Sequence, residues 1–193
     1  DVAGLDDDPR VLRSVRGQVA VATTPGAVRR VRLTPAQPAA SEAAVQAIMD
    51  ADMVTIGPGS WFSSVIPHIL VPDIAQALNE TSATVAVILN LSPEAGETHG
   101  FTTERHIHVF SQHAPQLHVD YFLADERTAT SDGERDNIAR AAARLDAEVA
   151  FAPLREVDAV GAPLNRHDPK QLASALKAPV SYTHLTLPTN REV

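Results

Sequence analysis

The sequence contains no cysteine, no long hydrophobic run and more acidic than basic residues. The absence of cysteine excludes disulfide bonds, thiolate zinc sites and a cysteine nucleophile. The longest apolar runs, such as residues 85–89, are far too short to cross a bilayer. No N-terminal stretch combines the basic, apolar and small-residue features of a secretory signal. We therefore expect a cytoplasmic protein that does not insert into a membrane.

The net charge is −8, from 16 basic and 24 acidic residues in a chain of 193. A surface of this sign repels polyanions, so we expect no sequence-independent binding to nucleic acid. One local cluster of positive charge, Arg29, Arg30 and Arg32, is predicted to be solvated on a β-hairpin. The length, with 44% hydrophobic and 21% charged residues, is typical of a globular domain.

Hydrophobic patterning predicts alternating strands and helices. Strands are predicted at 53–56, 84–89, 119–124 and 148–152, which are rich in apolar residues. Helical spacing of apolar residues predicts helices after a Ser41 cap and over 69–78, 102–113, 134–145 and 169–177. Two β-type runs, 17–22 and 27–33, flank a Pro-Gly turn and predict a hairpin. Apolar strands separated by amphipathic helices predict an α/β fold, with a mostly parallel sheet covered by helices on both faces.

The first candidate site is the turn Gly57-Pro58-Gly59-Ser60, which follows a buried strand. Ligands of parallel sheets bind beyond the carboxyl ends of the strands. Glycines let the backbone approach a ligand, Ser60 is suited to cap the following helix, and free N–H groups at a helix start attract phosphate. No lysine completes a Walker loop and no G-x-S-x-G surrounds Ser60, so catalysis by this serine is not predicted. The alternative is a tight strand-to-helix turn without a ligand.

The second candidate site is the polar loop from Asn90 to Gly100, at the end of the next strand. Asn90 is suited to read a base or a sugar by paired hydrogen bonds. The alternative is a polar loop in which Thr98 or Thr102 caps the next helix. Asp125 closes the third strand, where a carboxylate holds a ribose or a metal-bound water, or more often caps a turn.

The eight histidines form no recognised metal-binding pattern. On a helix, His106 and His108 point roughly 200° apart. His106 and His113 share a face, but no carboxylate completes a known ligand set. We therefore predict neither a metal site nor a cofactor.

Three spaced stretches, residues 17–26, 56–72 and 96–101, resemble the YvcK-like family of gluconeogenesis factors, as does the closing segment 166–169. That family is related to the 2-phospho-L-lactate transferases, the CofD-like proteins, and shares their Rossmann-like fold. The resemblance covers roughly residues 1–177. It implies a cytoplasmic regulator that binds a UDP-sugar, UDP-N-acetylglucosamine above all, and that supports gluconeogenic growth, cell shape and wall synthesis. No established enzymatic activity comes with the family.

At the matching positions, the resemblance implies a ligand site formed by Gly57, Pro58, Gly59 and Ser60, with Asn90, Glu97 and Thr98 in the facing loop. Between Asn90 and Glu97, this chain differs from the usual family sequence.

Two other functions remain open. One is a 2-phospho-L-lactate transferase-like enzyme, in which carboxylates such as Glu97 or Asp125 would hold Mg²⁺ beside a diphosphate. The other is a morphogenesis adaptor whose arginine cluster contacts a protein. A homo-oligomer or a cell-wall regulatory partner is also left open.

The first residue is Asp1 rather than Met, and the resemblance implies that a first strand and a Gly-rich loop are missing. We interpret residues 1–178 as the C-terminal part of one domain and 179–193 as a non-native tail. We further expect the missing strand to leave apolar surface exposed at Val54 and over 85–88.

Overall fold

The computed structural model describes residues 1–3, 10–94 and 96–183, with side chains as far as residue 177. The final helix continues to Thr183, past its predicted end at Lys177. The side chains of the predicted tail, residues 179–193, lie outside the described part of the chain.

Four parallel strands form the main sheet, in the order β4-β5-β6-β7. They are β4 (Met53–Ile56), β5 (Thr84–Ile88), β6 (Tyr121–Asp125) and β7 (Glu148–Ala152). Because the strands are parallel and adjacent in sequence order, their carboxyl ends meet at one edge of the sheet. The predicted α/β, Rossmann-like class with a parallel sheet is confirmed.

Helices cover both faces of this sheet. They are α1 (Gln18–Ala22), α2 (Glu42–Met49), a π-helix (Trp61–Val65), α3 (Ile66–Ile69), α4 (Pro72–Glu80), α5 (Thr103–His113), α6 (Asp132–Ala142) and α7 (Pro169–Thr183). Alternate strand residues pack on opposite sides. Val87 and Phe122 face a cluster with α5 and α6, whereas Ala86 and Leu123 face a cluster with Leu172 of α7.

Two smaller antiparallel sheets complete the fold. One contains β1 (Val2–Ala3), β2 (Leu12–Arg13) and β3 (Ala27–Val28), and the other is the hairpin β8 (Arg155–Val157) and β9 (Pro163–His167). Short 3₁₀ turns follow β6 (Glu126–Thr128) and α6 (Ala143–Leu145).

The predicted hairpin between 17–22 and 27–33 is wrong. Residues 18–22 form α1, and Ala27–Val28 pairs with Val2–Ala3 instead. A four-residue Val-Ala alternation, at 19–22, fits a strand or a helix, and the available partner decides between them. The partner of α1 is the π-helix, where Gln18 Nε2 donates to the Ser63 carbonyl oxygen at 2.9 Å. Pro67 lacks the N–H that would otherwise bond this carbonyl within a helix, so the glutamine satisfies it.

One further expectation holds and another fails. Residues 69–78 are largely helical with Pro72 near the start, as predicted, although they divide between α3, which ends before Leu70, and a new helix that begins at Pro72, a residue suited to a first helical position. Residues 85–88 are at most 2% exposed rather than open to solvent, because β5 lies between two strands and under helices on both faces. Val54 is also partly buried against the core.

Candidate functional site

The turn after β4 begins at a position that only glycine fits. Gly57 has a φ of +79°, and a Cβ there would lie 2.9 Å from the Ile88 carbonyl oxygen at the end of β5. Gly59 differs, because a Cβ there would make ordinary contacts of 3.8 Å with Ser64 and Val65. Gly57 is therefore the glycine that allows the turn to pack against the neighbouring strand end.

The Asn90 side chain forms hydrogen bonds with both backbone polar groups of Gly59 in this turn. Its Oδ1 accepts a hydrogen bond from the Gly59 N–H at 3.1 Å, and its Nδ2 donates to the Gly59 carbonyl oxygen at 2.9 Å. The paired hydrogen bonds expected to read a base or sugar are made to the protein instead. The two candidate loops are thereby joined at the carboxyl ends of β4 and β5.

Glu97 occupies the helix start where a phosphate was expected. Its Oε2 accepts hydrogen bonds from the N–H groups of Phe62 and Ser63, at 2.7 and 3.2 Å. A carboxylate is favoured at this end of a helix by the partial positive charge of the unbonded N–H groups. Glu97 is 4% exposed, and its Oε1 has no hydrogen-bond partner in the described part of the chain.

Ser60 does not cap the helix, contrary to the expectation from its position. Its Oγ lies 3.3 Å from Glu94 Oε1, and the Glu94 N–H donates to Thr98 Oγ1 at 2.8 Å. Burial raises the pKa of Glu94, the charge of Glu97 adds to the increase, and the Ser60 hydrogen bond opposes it. The alternative proposed for the loop from Asn90 to Gly100, that Thr98 or Thr102 caps the next helix, also holds. Thr102 Oγ1 caps α5 by accepting a hydrogen bond from the Arg105 N–H at 3.2 Å.

Most of the predicted site residues therefore meet. Asn90 bonds Gly59, whereas the side chains of Ser60, Glu97 and Thr98 bond neighbouring residues of the two loops. The peptide bond between Gly57 and the exposed Pro58 is cis. The Asn90, Glu97 and Ser60 contacts together join the two loops. Of the seven predicted residues, Asn90 also lines an open crevice.

That crevice has a volume of about 340 Å³ and lies at the carboxyl ends of β5 and β6, between the starts of α5 and α6. Its lining includes Asn90, Phe101, His106, Arg127, Ile138 and Arg155. The position is the one expected for a ligand of a parallel sheet. Sequence reasoning missed both arginines, although Arg127 stands directly beyond the end of a strand.

The two arginines differ in their partners. Arg155 Nε lies 2.9 Å from Asp125 Oδ1, and its guanidinium also donates to the Leu91 carbonyl oxygen, so it is fixed inside the protein. The Arg127 side chain is exposed and makes no hydrogen bond or ion pair in the part of the chain described here. Arg127 is thus an available cation at the rim of the crevice.

Asp125 acts as a turn cap rather than as a ligand to ribose or metal. Besides Arg155, its carboxylate accepts hydrogen bonds from the N–H groups of Leu154 at 2.9 Å and Arg127 at 3.3 Å. Within the described ranges, no three His, Asp or Glu side chains are placed to hold a metal ion. Both carboxylates considered for Mg²⁺ accept hydrogen bonds from backbone N–H groups, and that of Asp125 also pairs with Arg155.

The arginine cluster lies in an extended segment after β3 rather than on a hairpin. Arg29, Arg30 and Arg32 are exposed and border a second crevice of about 1400 Å³. Arg32 forms an ion pair with Asp1 at 2.9 Å. None of the helices described above has both the length and the apolar character that crossing a bilayer requires.

Comparison with known proteins gives consistent matches. A sequence profile of the family described as "2-phospho-L-lactate transferase CofD" matches residues 3–161. A Mycobacterium tuberculosis protein named "Putative gluconeogenesis factor" is 55% identical over 176 residues, which cover 91% of this chain and 50% of the relative. A Mycobacterium leprae protein of the same name is 51% identical over 91% of this chain and 48% of the relative. The chain spans about half the length of these curated relatives.

A crystal structure of a UPF0052 family member from Bacillus halodurans has the same fold. It matches with a TM-score of 0.68 at 26% sequence identity, over 84% of this chain and 55% of that chain.

Proposed function

The chain belongs to the CofD family, on its YvcK-like branch, and from this membership we propose that it is the nucleotide-sugar-binding part of a gluconeogenesis factor. The proposed ligand is a UDP-sugar, UDP-N-acetylglucosamine above all, and the proposed activity is binding without turnover. The observation that carries the proposal is the crevice at the carboxyl ends of β5 and β6, with an available arginine at its rim.

The chemistry of the crevice suits a nucleotide. Phe101 and Ile138 provide apolar surface for a flat base, and Arg127 provides a cation for a diphosphate. We propose that Asn90 borders the ligand. We propose that the remaining predicted site residues hold the two loops in place beside the ligand, namely Gly57, Pro58, Gly59, Ser60, Glu97 and Thr98.

A thermal-shift titration with UDP-N-acetylglucosamine tests this proposal. At about 100 times its dissociation constant, a ligand adds roughly 2.7 kcal/mol to the unfolding free energy. For a domain of this size we expect the melting temperature to rise by about 5–10 °C. No saturable shift with any UDP-sugar would overturn the proposal.

Arg127→Gln tests whether a UDP-sugar binds in the crevice or is attracted only by positive charge on the surface. Loss of a charged hydrogen bond should weaken UDP-sugar binding about tenfold or more. Arg144→Gln is the matched control, because Arg144 is an exposed arginine that bonds His108 outside the crevice. Equal affinities for the two variants would place the ligand elsewhere.

The second candidate function is a phospholactate transferase, which the description of the matching family favours. The carboxylates considered for Mg²⁺ bond N–H groups and Arg155 instead, so we derive no metal-dependent step. A thermal shift with GDP but not with UDP-sugars, together with turnover of a nucleotide-linked substrate, would favour the transferase.

At the level of the cell, we propose a cytoplasmic role in gluconeogenic growth and cell morphogenesis, with a cell-wall regulatory protein or a second copy as partner. A strain that depends on this protein should fail on a gluconeogenic carbon source when it carries Arg127→Gln, and grow when it carries Arg144→Gln. Normal growth of both strains would show that the physiological role does not depend on ligand binding in the crevice.

A further inference from the structure

His106 lines the crevice with one ring nitrogen unused. Its Nδ1 lies 2.9 Å from the Thr102 carbonyl oxygen. Because a carbonyl oxygen only accepts hydrogen bonds, Nδ1 carries the proton and Nε2 presents a lone pair. The residue is 4% exposed, and Nε2 is buried without a partner in the described part of the chain. A buried acceptor left unmatched is costly, so its presence in a binding crevice points to a missing donor.

Packing holds this ring in one orientation. The rings of Trp61 and Phe101 each lie 5.3 Å from the His106 ring, at 85° and 70° to its plane. Trp61 Nε1 also donates to the His106 carbonyl oxygen at 3.2 Å. Burial lowers the pKa of His106, so the ring stays neutral at physiological pH and Nε2 remains an acceptor.

We propose that His106 Nε2 selects uracil over cytosine by accepting a hydrogen bond from the imide N3–H of the base, an assignment that rests on the proposed function. A flat base suits a crevice whose lining includes Phe101, which packs against His106, and Ile138. Cytosine carries a lone pair at N3, which would face the lone pair of Nε2 and leave both unpaired. Because Nε2 is closed to solvent, entry of the base requires the side chains that line the crevice to part.

Calorimetric titration of the unmodified chain with UDP and with CDP tests the selection. We expect UDP to bind on the order of 10- to 100-fold more tightly, the range for leaving a buried polar group unpaired. Equal affinities for UDP and CDP would overturn the role of His106 and leave the proposed function standing. Binding of neither nucleotide, nor of any UDP-sugar, would overturn both.

Two variants test the residue itself. His106→Phe keeps an aromatic ring between Trp61 and Phe101 and removes the acceptor, so UDP affinity should fall to the level of CDP. His106→Gln places an amide near the position of Nε2, which offers oxygen to uracil or N–H to cytosine, so CDP binding should improve. Unchanged discrimination in both variants would refute the assignment.

A ligand-side comparison needs no variant and covers the case in which His106→Phe folds poorly. N3-methyl-UDP lacks the imide proton, so the unmodified chain should bind it about tenfold or more weakly than UDP. Affinity equal to that of UDP would overturn the proposal.

Discussion

Replacing Glu97 by alanine tests whether its carboxylate holds the two candidate loops together. The substitution leaves the buried N–H groups of Phe62 and Ser63 without their acceptor. At about 1–3 kcal/mol for each unsatisfied group, reduced where water enters, we expect a total loss near 3 kcal/mol. For a chain of this size the melting temperature should fall by roughly 6–12 °C.

Glu97→Gln separates charge from hydrogen bonding. The amide oxygen can still accept from both N–H groups, but the charge that strengthens these bonds is gone. We expect a loss of about 1–2 kcal/mol, because charge-assisted hydrogen bonds are roughly twice as strong as neutral ones.

Thermal and urea unfolding measure both variants. The matched control is Glu42→Ala, an exposed glutamate in the first turn of α2, which should cost no more than about 1 kcal/mol. A loss for Glu97→Ala no larger than that of the control would refute the assigned role of Glu97.

Three further predictions follow from the same region. Gly57→Ala should cost at least about 1 kcal/mol more than Gly100→Ala in thermal unfolding, because both have positive φ but only a Cβ at position 57 meets the backbone, at 2.9 Å; equal losses would contradict this. Burial raises the folded pKa of Glu94, so its stabilising contribution is complete below its unfolded pKa and is lost as pH rises through the folded pKa. Glu94→Gln should remove that slope from urea unfolding followed across mildly acidic pH, and an unchanged slope would count against it. Asp125→Ala should cost about 3 kcal/mol, the low end of the range for a buried pair, because Arg155 loses its carboxylate partner while its own side chain is 16% exposed; a double-mutant cycle with Arg155→Ala that shows no coupling would refute this expectation.

Short-range sequence signals predicted the helices and strands whose structure depends mainly on their own residues. The bounds of β7 agree with the apolar run at 148–152, and Thr102 caps α5 as one of the two alternatives proposed. A cap and a helical apolar stripe both arise within a few residues, so distant parts of the chain hardly alter them. The segment 17–33 has no such signal, and its structure depends on Val2–Ala3 and on the π-helix.

The location of the candidate site was also predictable, but the partners of its residues were not. Apolar strands followed by Gly57 and by Asn90 pointed to the carboxyl edge of a parallel sheet. The same sequence is equally compatible with Asn90 binding a ligand or the backbone of Gly59. An N–H group at a helix start likewise donates to a phosphate or to a carboxylate such as that of Glu97.

The sequence by itself determined the α/β class, most of the main strands and the two loops at their carboxyl ends, because periodicity, glycine turns and caps are properties of short segments. The tertiary structure alone decided that Glu97 and Asn90 bond the protein, and that the Arg127 guanidinium and His106 Nε2 find no partner in the described part of the chain. The physical reason is that a donor or acceptor has no preference for protein over ligand until folding brings one of them within hydrogen-bonding distance.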